Sequence, residues 1–441
     1  MIGGTPPLAG PGKPFPPATP LTPFQAAVAR ISAPGRFRVK MGLERTQALL
    51  AELGHPEAGL RGALVTGTNG KGSTCAFLAS ILAAAGLRAG TMPSPHLKSY
   101  TERVQVDGVP IDEDEFAEAL DAIEPALAAV ATRLGEATEF EVLTALALNW
   151  LGPRVDRLVI EVGMGGRLDT TNVLDLGVAV VTNVALDHTR HLGATVEAIA
   201  AEKAAIVKPG DACLTAAEGP ALAVVEARCR EVGASLWRLG KELELQWRWR
   251  GWEGSEIDLR GPGFEHRGLR VPLAGSFQSA NAALAVAAAH ALGDATSEAV
   301  RKGIAATRWP GRLEVVAGSP RVLLDGGHNP EGLHRLAGDL EHLLAGERAP
   351  VVVFGAMSDK DLPAMLAELR RLRPPVVLFT RAASAGERAA DPAALAAAWG
   401  AGGRVVEPAA EALAEARAGA GAEGTVLVCG SLYLVGELRP D

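Results

Sequence analysis

The stretch Gly67-Thr68-Asn69-Gly70-Lys71-Gly72-Ser73-Thr74 constrains this chain more than any other. It follows the apolar run Ala63-Leu64-Val65-Thr66 and precedes a helix-forming segment, Cys75 to Ala85. A buried strand, a glycine-rich turn and a helix N-terminus together make a phosphate cradle. Glycines let backbone N–H groups turn inward, the helix end is electropositive, and Lys71 adds a full charge. Ser73 or Thr74 supplies a hydroxyl toward a magnesium ion. The spacing departs from the Walker pattern, because Val65 stands where its first glycine belongs and a glycine follows the lysine. The competing reading, a glycine turn beside a surface lysine, leaves the flanking strand and helix unexplained.

Composition bounds the rest. The 441 residues allow two or three domains with proper cores. A hydrophobic content of 48% with only 4% aromatics predicts an Ala/Val/Leu-rich interior of layered α/β type. The net charge of −8 argues against general nucleic-acid binding, which needs surplus cations. Cys75, Cys213, Cys229 and Cys429 lack metal or disulfide spacing, as expected of a reducing, cytoplasmic setting. No apolar run approaches membrane-spanning length, so no membrane partner is expected. Residues 1–22 are Pro/Gly-rich without the pattern of a signal peptide and read as a disordered leader.

Two α/β units follow, over 23–307 and 308–441. In the first, strand-like runs at Ala63–Gly67, Leu158–Val162 and Val178–Asn183 alternate with helical stretches such as Glu113–Leu134 and Glu141–Trp150. That alternation predicts a parallel sheet covered on both faces. Glu242–Arg250 alternates Leu243, Leu245, Trp247 and Trp249 with polar residues, which predicts an antiparallel edge excursion with the aromatics inward, pairing with Ile257–Leu259 and Leu269–Val271. A second doubly wound sheet is expected after Trp309-Pro310-Gly311-Arg312, from Arg321–Leu324, Val351–Phe354, Val376–Phe379 and Val426–Cys429, the last without a following helix. Pro408 suits a first helical position before Ala409–Ala422.

Chemistry-bearing residues gather at strand ends. Glu161 closes Leu158-Val159-Ile160, and His188 lies just past the run Val180–Asp187. On neighbouring strand ends the two can ligate one hard cation, Mg²⁺ or Mn²⁺. Taken alone, Lys203 reads as a helix-surface lysine paired with Glu202 or Glu197.

The chain resembles the folylpolyglutamate synthases and dihydrofolate synthases of the Mur ligase superfamily over nearly everything after the leader. The segments that carry this are Gly42–Arg45, Thr66–Ser73, Ser94–Leu97, Tyr100–Val104, Phe140-Glu141, Glu161–Asn172, Leu186–His188 and Glu202–Ala204. Others are Trp309–Arg312, Asp325–Pro330 and Gly430–Gly436. One departure is Phe277-Gln278 before Asn281, where the family has His-Gln on the adenine side.

The resemblance implies ATP, two Mg²⁺ ions and K⁺ as cofactors. One Mg²⁺ falls to Ser94 and Glu161, the other to His188 with Glu161 nearby and to a carbamylated Lys203. Asn281, Arg312, Asp325 and His328 are implied on the nucleotide, with Lys71 on its phosphates. Lys360 and Ser431 match positions that hold the incoming amino acid. The implied reaction adds L-glutamate to dihydropteroate or a reduced folate through an acyl phosphate, with Ser94–Val104 as the pterin-side loop and the chain a monomer. The alternative is a Mur-type ligase acting on a non-folate carboxylate. A GTPase would need an Asn-Lys-x-Asp motif, which does not appear, and a non-catalytic regulator would be expected to have lost Glu161, His188 or Lys203.

Overall fold

The computed structural model describes residues 20–33 and 42–440, so the expected leader lies outside the described residues up to position 19. A capping box at Thr22 opens the Pro23–Ile31 helix.

The larger sheet has eight strands: β1 (Arg61–Thr66), β2 (Ala89–Met92), β3 (Gln105–Val106), β4 (Val109–Pro110), β5 (Arg157–Glu161), β6 (Gly177–Val181), β7 (Ala212–Thr215) and β8 (Ser235–Arg238). Their spatial order is β4-β3-β2-β5-β1-β6-β7-β8. From β2 to β8 neighbours run parallel, while β3 and β4 fold back antiparallel at one edge. The central strands are apolar throughout because both faces are covered. Leu64 and Val181 enter the core on the side of the Glu113–Leu134 and Glu139–Leu151 helices. Ala63, Val65 and Val180 point the other way, toward the Lys71–Ala84 and Gln278–Leu292 helices. The Gln278–Leu292 helix is apolar nearly all round, as a helix enclosed in a core must be.

Behind those two helices lies a separate antiparallel sheet of β9 (Glu244–Trp249), β10 (Ser255–Gly261) and β11 (Phe264–Val271). The antiparallel pairing expected from the sequence is present, but it forms its own layer rather than an edge of the large sheet. Ile257, Leu259, Leu269 and Val271 bury against the Gln278–Leu292 helix, whereas Trp247 is 43% exposed. Trp247 pairs with the buried Ile257 and so shares its inward face as expected; it stays partly exposed because β9 is the edge strand of this sheet.

The second sheet comprises β12 (Glu314–Val316), β13 (Arg321–Asp325), β14 (Val351–Phe354), β15 (Val377–Phe379), β16 (Gly403–Val405) and β17 (Thr425–Cys429), ordered β12-β13-β17-β14-β15-β16. All pairs are parallel except β12 with β13. Helices cover both faces, and β17 is followed by one after all, Leu432–Leu438. Pro408 sits at the N-cap of the Ala409–Ala420 helix, not inside its first turn. Among the described residues no helix is long and apolar enough to cross a membrane.

Candidate active site

The phosphate loop leaves β1 at Gly67, where a Cβ would lie 1.8 Å from the Thr182 hydroxyl oxygen, so only glycine fits beside β6. Neighbouring side chains fix the loop backbone. The Thr182 hydroxyl donates to the Asn69 carbonyl at 2.6 Å, and the Asn69 N–H donates to Asn183 Oδ1 at 2.8 Å. The Thr68 hydroxyl bridges the Ala185 carbonyl and N–H at 3.1 and 3.0 Å. Gly70 is left-handed at φ 86° and caps the Lys71–Ala84 helix, which begins four residues before the expected Cys75. Its first-turn N–H groups, which have no intrahelical acceptor, thus come from the motif itself. Lys71 Nζ folds onto the Gly67 and Thr68 carbonyls at 3.1 and 3.3 Å, and burial holds its pKa below the usual lysine value. Gln278 Nε2 donates to the Ser73 hydroxyl at 3.3 Å, and Asn281 Nδ2 donates to Gln278 Oε1 at 3.0 Å. The Thr74 hydroxyl is buried with no partner among the described residues.

A cavity of about 470 Å³ opens beside this loop, lined by Asn69, Phe277 and Asn281 on one side and by Arg312, Asp325 and Arg335 on the other. Asp325 ends β13, and burial raises its pKa. Both its oxygens accept backbone N–H groups, from Gly327 at 2.7 Å and Leu313 at 2.8 Å. A smaller chamber of about 130 Å³ continues past Lys71 to Ser94, Glu161, His188, Lys203, Arg312 and His328. It gathers the expected residues, but not along neighbouring strands. β1 lies between β5 and β6, so Glu161 and His188 flank the phosphate loop from opposite sides. His188 also stands seven residues beyond the end of β6, left-handed at φ 48° at the start of the short Thr189–Leu192 helix.

Glu161 is buried, which raises its pKa against the opposing pull of Lys71, and one oxygen accepts the Ser94 N–H at 3.1 Å. Arg103 Nη1 donates to the Ser94 hydroxyl at 2.8 Å. Lys203 is not a surface lysine. It is 4% exposed, its ammonium donates to the Gly67 carbonyl at 2.9 Å, and burial, aided by Lys71, lowers its pKa to about 7. Glu202 turns away to pair with Arg167. His188 and His328 are pushed down to about 4 and about 3 by burial, so both imidazoles are neutral at pH 7. The Lys360 ammonium reaches from the second sheet's side to Asp187 Oδ1 at 2.8 Å and lies 3.3 Å from His188 Nε2. Ser431 precedes the Leu432–Leu438 helix without capping it, and its buried hydroxyl has no partner among the described residues.

A third cavity, also about 470 Å³, meets the chamber at Ser94, Glu161 and Arg312 and runs between the Ser94–Glu102 segment and Trp309. The segment docks on the last helix so closely that a Cβ at Gly436 would lie 1.9 Å from the Leu97 carbonyl oxygen. Three residues went unassigned in the sequence. Arg103 and Asp187 lie within the resembling segments. Asn329 carried a readable signal, because Asn-Pro is the pattern of a helix N-cap followed by a first-turn proline.

Comparison with known proteins gives the family. Residues 65–289 match the Mur ligase middle domain, and residues 311–432 match the Mur ligase glutamate ligase domain. The chain is 37% identical to the dihydrofolate synthase/folylpolyglutamate synthase of Bacillus subtilis (strain 168), over 80% of this chain and 84% of that one. It is 38% identical to the enzyme of the same description from Escherichia coli (strain K12), over 90% of each. The crystal structure of Mycobacterium tuberculosis folylpolyglutamate synthase complexed with ADP and AMPPCP superposes with a TM-score of 0.88 at 32% identity, covering 94% of this chain and 98% of that one. The chain therefore belongs to the Mur ligase family, in the branch of the dihydrofolate and folylpolyglutamate synthases.

Proposed function

We propose that this chain adds L-glutamate to dihydropteroate, to the γ-carboxylate of tetrahydrofolate, or to both, at the expense of ATP. The observation that carries the reading is the junction of two large cavities at one small chamber. The cavity beside the phosphate loop suits the nucleotide, and the one beside the Ser94–Val104 loop suits the acceptor. Arg312 lines all three; the chamber meets the nucleotide cavity at Asn69, Gly70 and Gly72 and the acceptor cavity at Ser94 and Glu161, so an acceptor carboxylate would meet a γ-phosphate there.

The residues fit divalent cations. Glu161 is a carboxylate whose pKa is raised by burial, and it accepts the Ser94 N–H, with Ser94 lining the same chamber. Ser94 and Glu161 would hold one Mg²⁺; His188 and Lys203 would hold the other. Among the described residues no three His, Cys, Asp or Glu side chains cluster for a metal, and the second site would gain from a further anionic ligand. A carbamate on Lys203 supplies it, and a buried amine titrating near neutrality is the form that reacts with CO₂. Bound Mg²⁺ would neutralise charge between two mutually repelling anions.

Lys71 and Arg312 compensate the transferring phosphoryl group. The acceptor carboxylate attacks the γ-phosphorus and ADP leaves. The glutamate amine then adds to the acyl carbon, loses a proton, and phosphate departs. Lys360 and the unpartnered Ser431 hydroxyl hold the glutamate carboxylate. Division into domains at 23–307 and 308–441 puts the two halves of this machinery on separate bodies whose closure excludes water. The setting is cytoplasmic, the chain monomeric, and K⁺ a further cofactor.

Incorporation of labelled glutamate, with dihydropteroate and tetrahydrofolate offered separately, tests the reading. Labelled product from at least one supports it. ATP-dependent product from neither moves the chain to the non-folate alternative.

A further inference from the structure

We propose that Asn329 is a positioning residue that ties the phosphate loop to the second half of the molecule and so holds the cleft in register for ligation. Its carboxamide is 1% exposed and fully committed. Oδ1 accepts the Gly332 N–H at 2.7 Å, capping the Pro330–Leu343 helix, and the Asn69 side-chain N–H at 3.3 Å. Nδ2 donates to Asn69 Oδ1 at 3.1 Å and to Asp187 Oδ2 at 2.9 Å. Asp187 carries the chain onward, since its other oxygen accepts the His188 N–H and the Lys360 ammonium, each at 2.8 Å.

One amide thus meets three functional segments: the phosphate loop at Asn69, the loop bearing His188, and, through Asp187, the Lys360 loop. The Asn69 backbone is already fixed by Thr182 and Asn183, so its side chain reads the position of the second half against a rigid reference. The helix cap alone needs only Oδ1. Both N–H donors of Asn329 are spent across the cleft, and a carboxylate cap could not supply them.

The test separates cap from coupling. Asn329→Asp keeps a good N-cap but removes both donors and sets a carboxylate against Asp187. Asp187→Asn in the same chain restores a donor–acceptor pair in reverse. The inference rests on the ligase reading for its activity readout, so closure is measured independently, by small-angle scattering with and without a non-hydrolysable ATP analogue. Expected for Asn329→Asp are a lowered thermal midpoint with a cooperative transition retained, loss of the nucleotide-induced compaction, a roughly 10–100-fold fall in kcat, and more ADP released per amide formed. The double variant recovers compaction and at least tenfold of the lost kcat relative to Asn329→Asp. Normal compaction and coupling in Asn329→Asp, or no recovery in the double variant, overturns the proposal. Compaction lost in Asn329→Asp and regained in the double variant, in a protein inactive on folates, leaves it standing while refuting the folate reading.

Discussion

Replacement of Lys203 by alanine tests the least ordinary group in the site, one whose function depends on a covalent change. With its pKa lowered to about 7, roughly three quarters of the buried amine is neutral at pH 7.5. At the usual lysine value the neutral fraction there is about one in a thousand. Burial therefore multiplies the form that attacks CO₂ by several hundred, and the carbamate places negative charge next to Lys71. Wild-type ligase activity should fall at least tenfold in CO₂-stripped buffer and return with bicarbonate, the return being faster at pH 8 than at pH 6. Labelled bicarbonate should give a carbamate carbon resonance in the wild type that is absent from Lys203→Ala. The variant should lose roughly 10²-fold or more in kcat, with partial rescue by acetate in the vacated ligand position. Lys203→Glu should be rescued less, because its carboxylate falls short of the carbamate. Full activity of Lys203→Ala, or an unmodified ammonium in a magnesium–nucleotide crystal, would refute the reasoning.

Lys71→Ala should lower turnover by roughly 10²–10³-fold or more while circular dichroism stays unchanged, because it removes charge stabilisation of the transferring phosphoryl group; near-normal turnover would remove the phosphate-loop assignment. In metal-free, CO₂-free protein Lys203→Met should be more stable than wild type by up to roughly 5 kcal/mol at pH 6. The unfolded lysine keeps its proton up to pH 10.5 and the folded one only to about 7, so the penalty is complete below pH 7 and fades toward 10.5; urea unfolding at both ends of that window checks the sign. Gly303→Ala, in the Ser297–Ala306 helix, should cost about 1–3 kcal/mol in thermal unfolding, since its Cβ would lie 2.5 Å from Ile81 Cα in the packed Lys71–Ala84 helix; an unchanged midpoint would show that the two helices can separate.

The strands legible as continuous apolar runs are those buried on both faces, whereas β9 to β11 were legible through alternation. Ala63–Val65, Leu158–Ile160 and Val351–Phe354 are continuous apolar runs because helices cover them above and below. Gln105–Val106, Val109–Pro110 and Glu314–Val316 passed unread, being short, partly exposed and free of any period. β12 runs antiparallel at the sheet's edge, where no crossover helix announces its direction. Trp247 shows the limit of period two as evidence. Alternation correctly gave a strand and its inward face, shared with Ile257, but how far that face is covered depends on the strand's place at the sheet edge, which no local pattern states.

The site was legible as a list of residues and illegible as an arrangement. Glu161 and His188 were recognisable as candidate ligands, yet nothing local says that β1 is inserted between their strands, so that the phosphate loop rises between the two. Lys203 is a sharper case. On its own sequence a lysine after Glu202 reads as a paired surface charge, but one residue of helical rotation, about 100°, separates Glu202, turned out to Arg167, from Lys203, turned in to Gly67. That rotation takes the amine out of water, and desolvation then brings its pKa into the range where carbamate chemistry is open to it. The Asn69–Asn329 pair, 260 positions apart, lies beyond any local pattern. Its cap half was written in Asn-Pro, whereas its cleft-spanning half exists only once β1 and β13 have set their following loops face to face. Side chains that act within one loop announce themselves through spacing, while those that join two folded bodies carry only the signature of their local role.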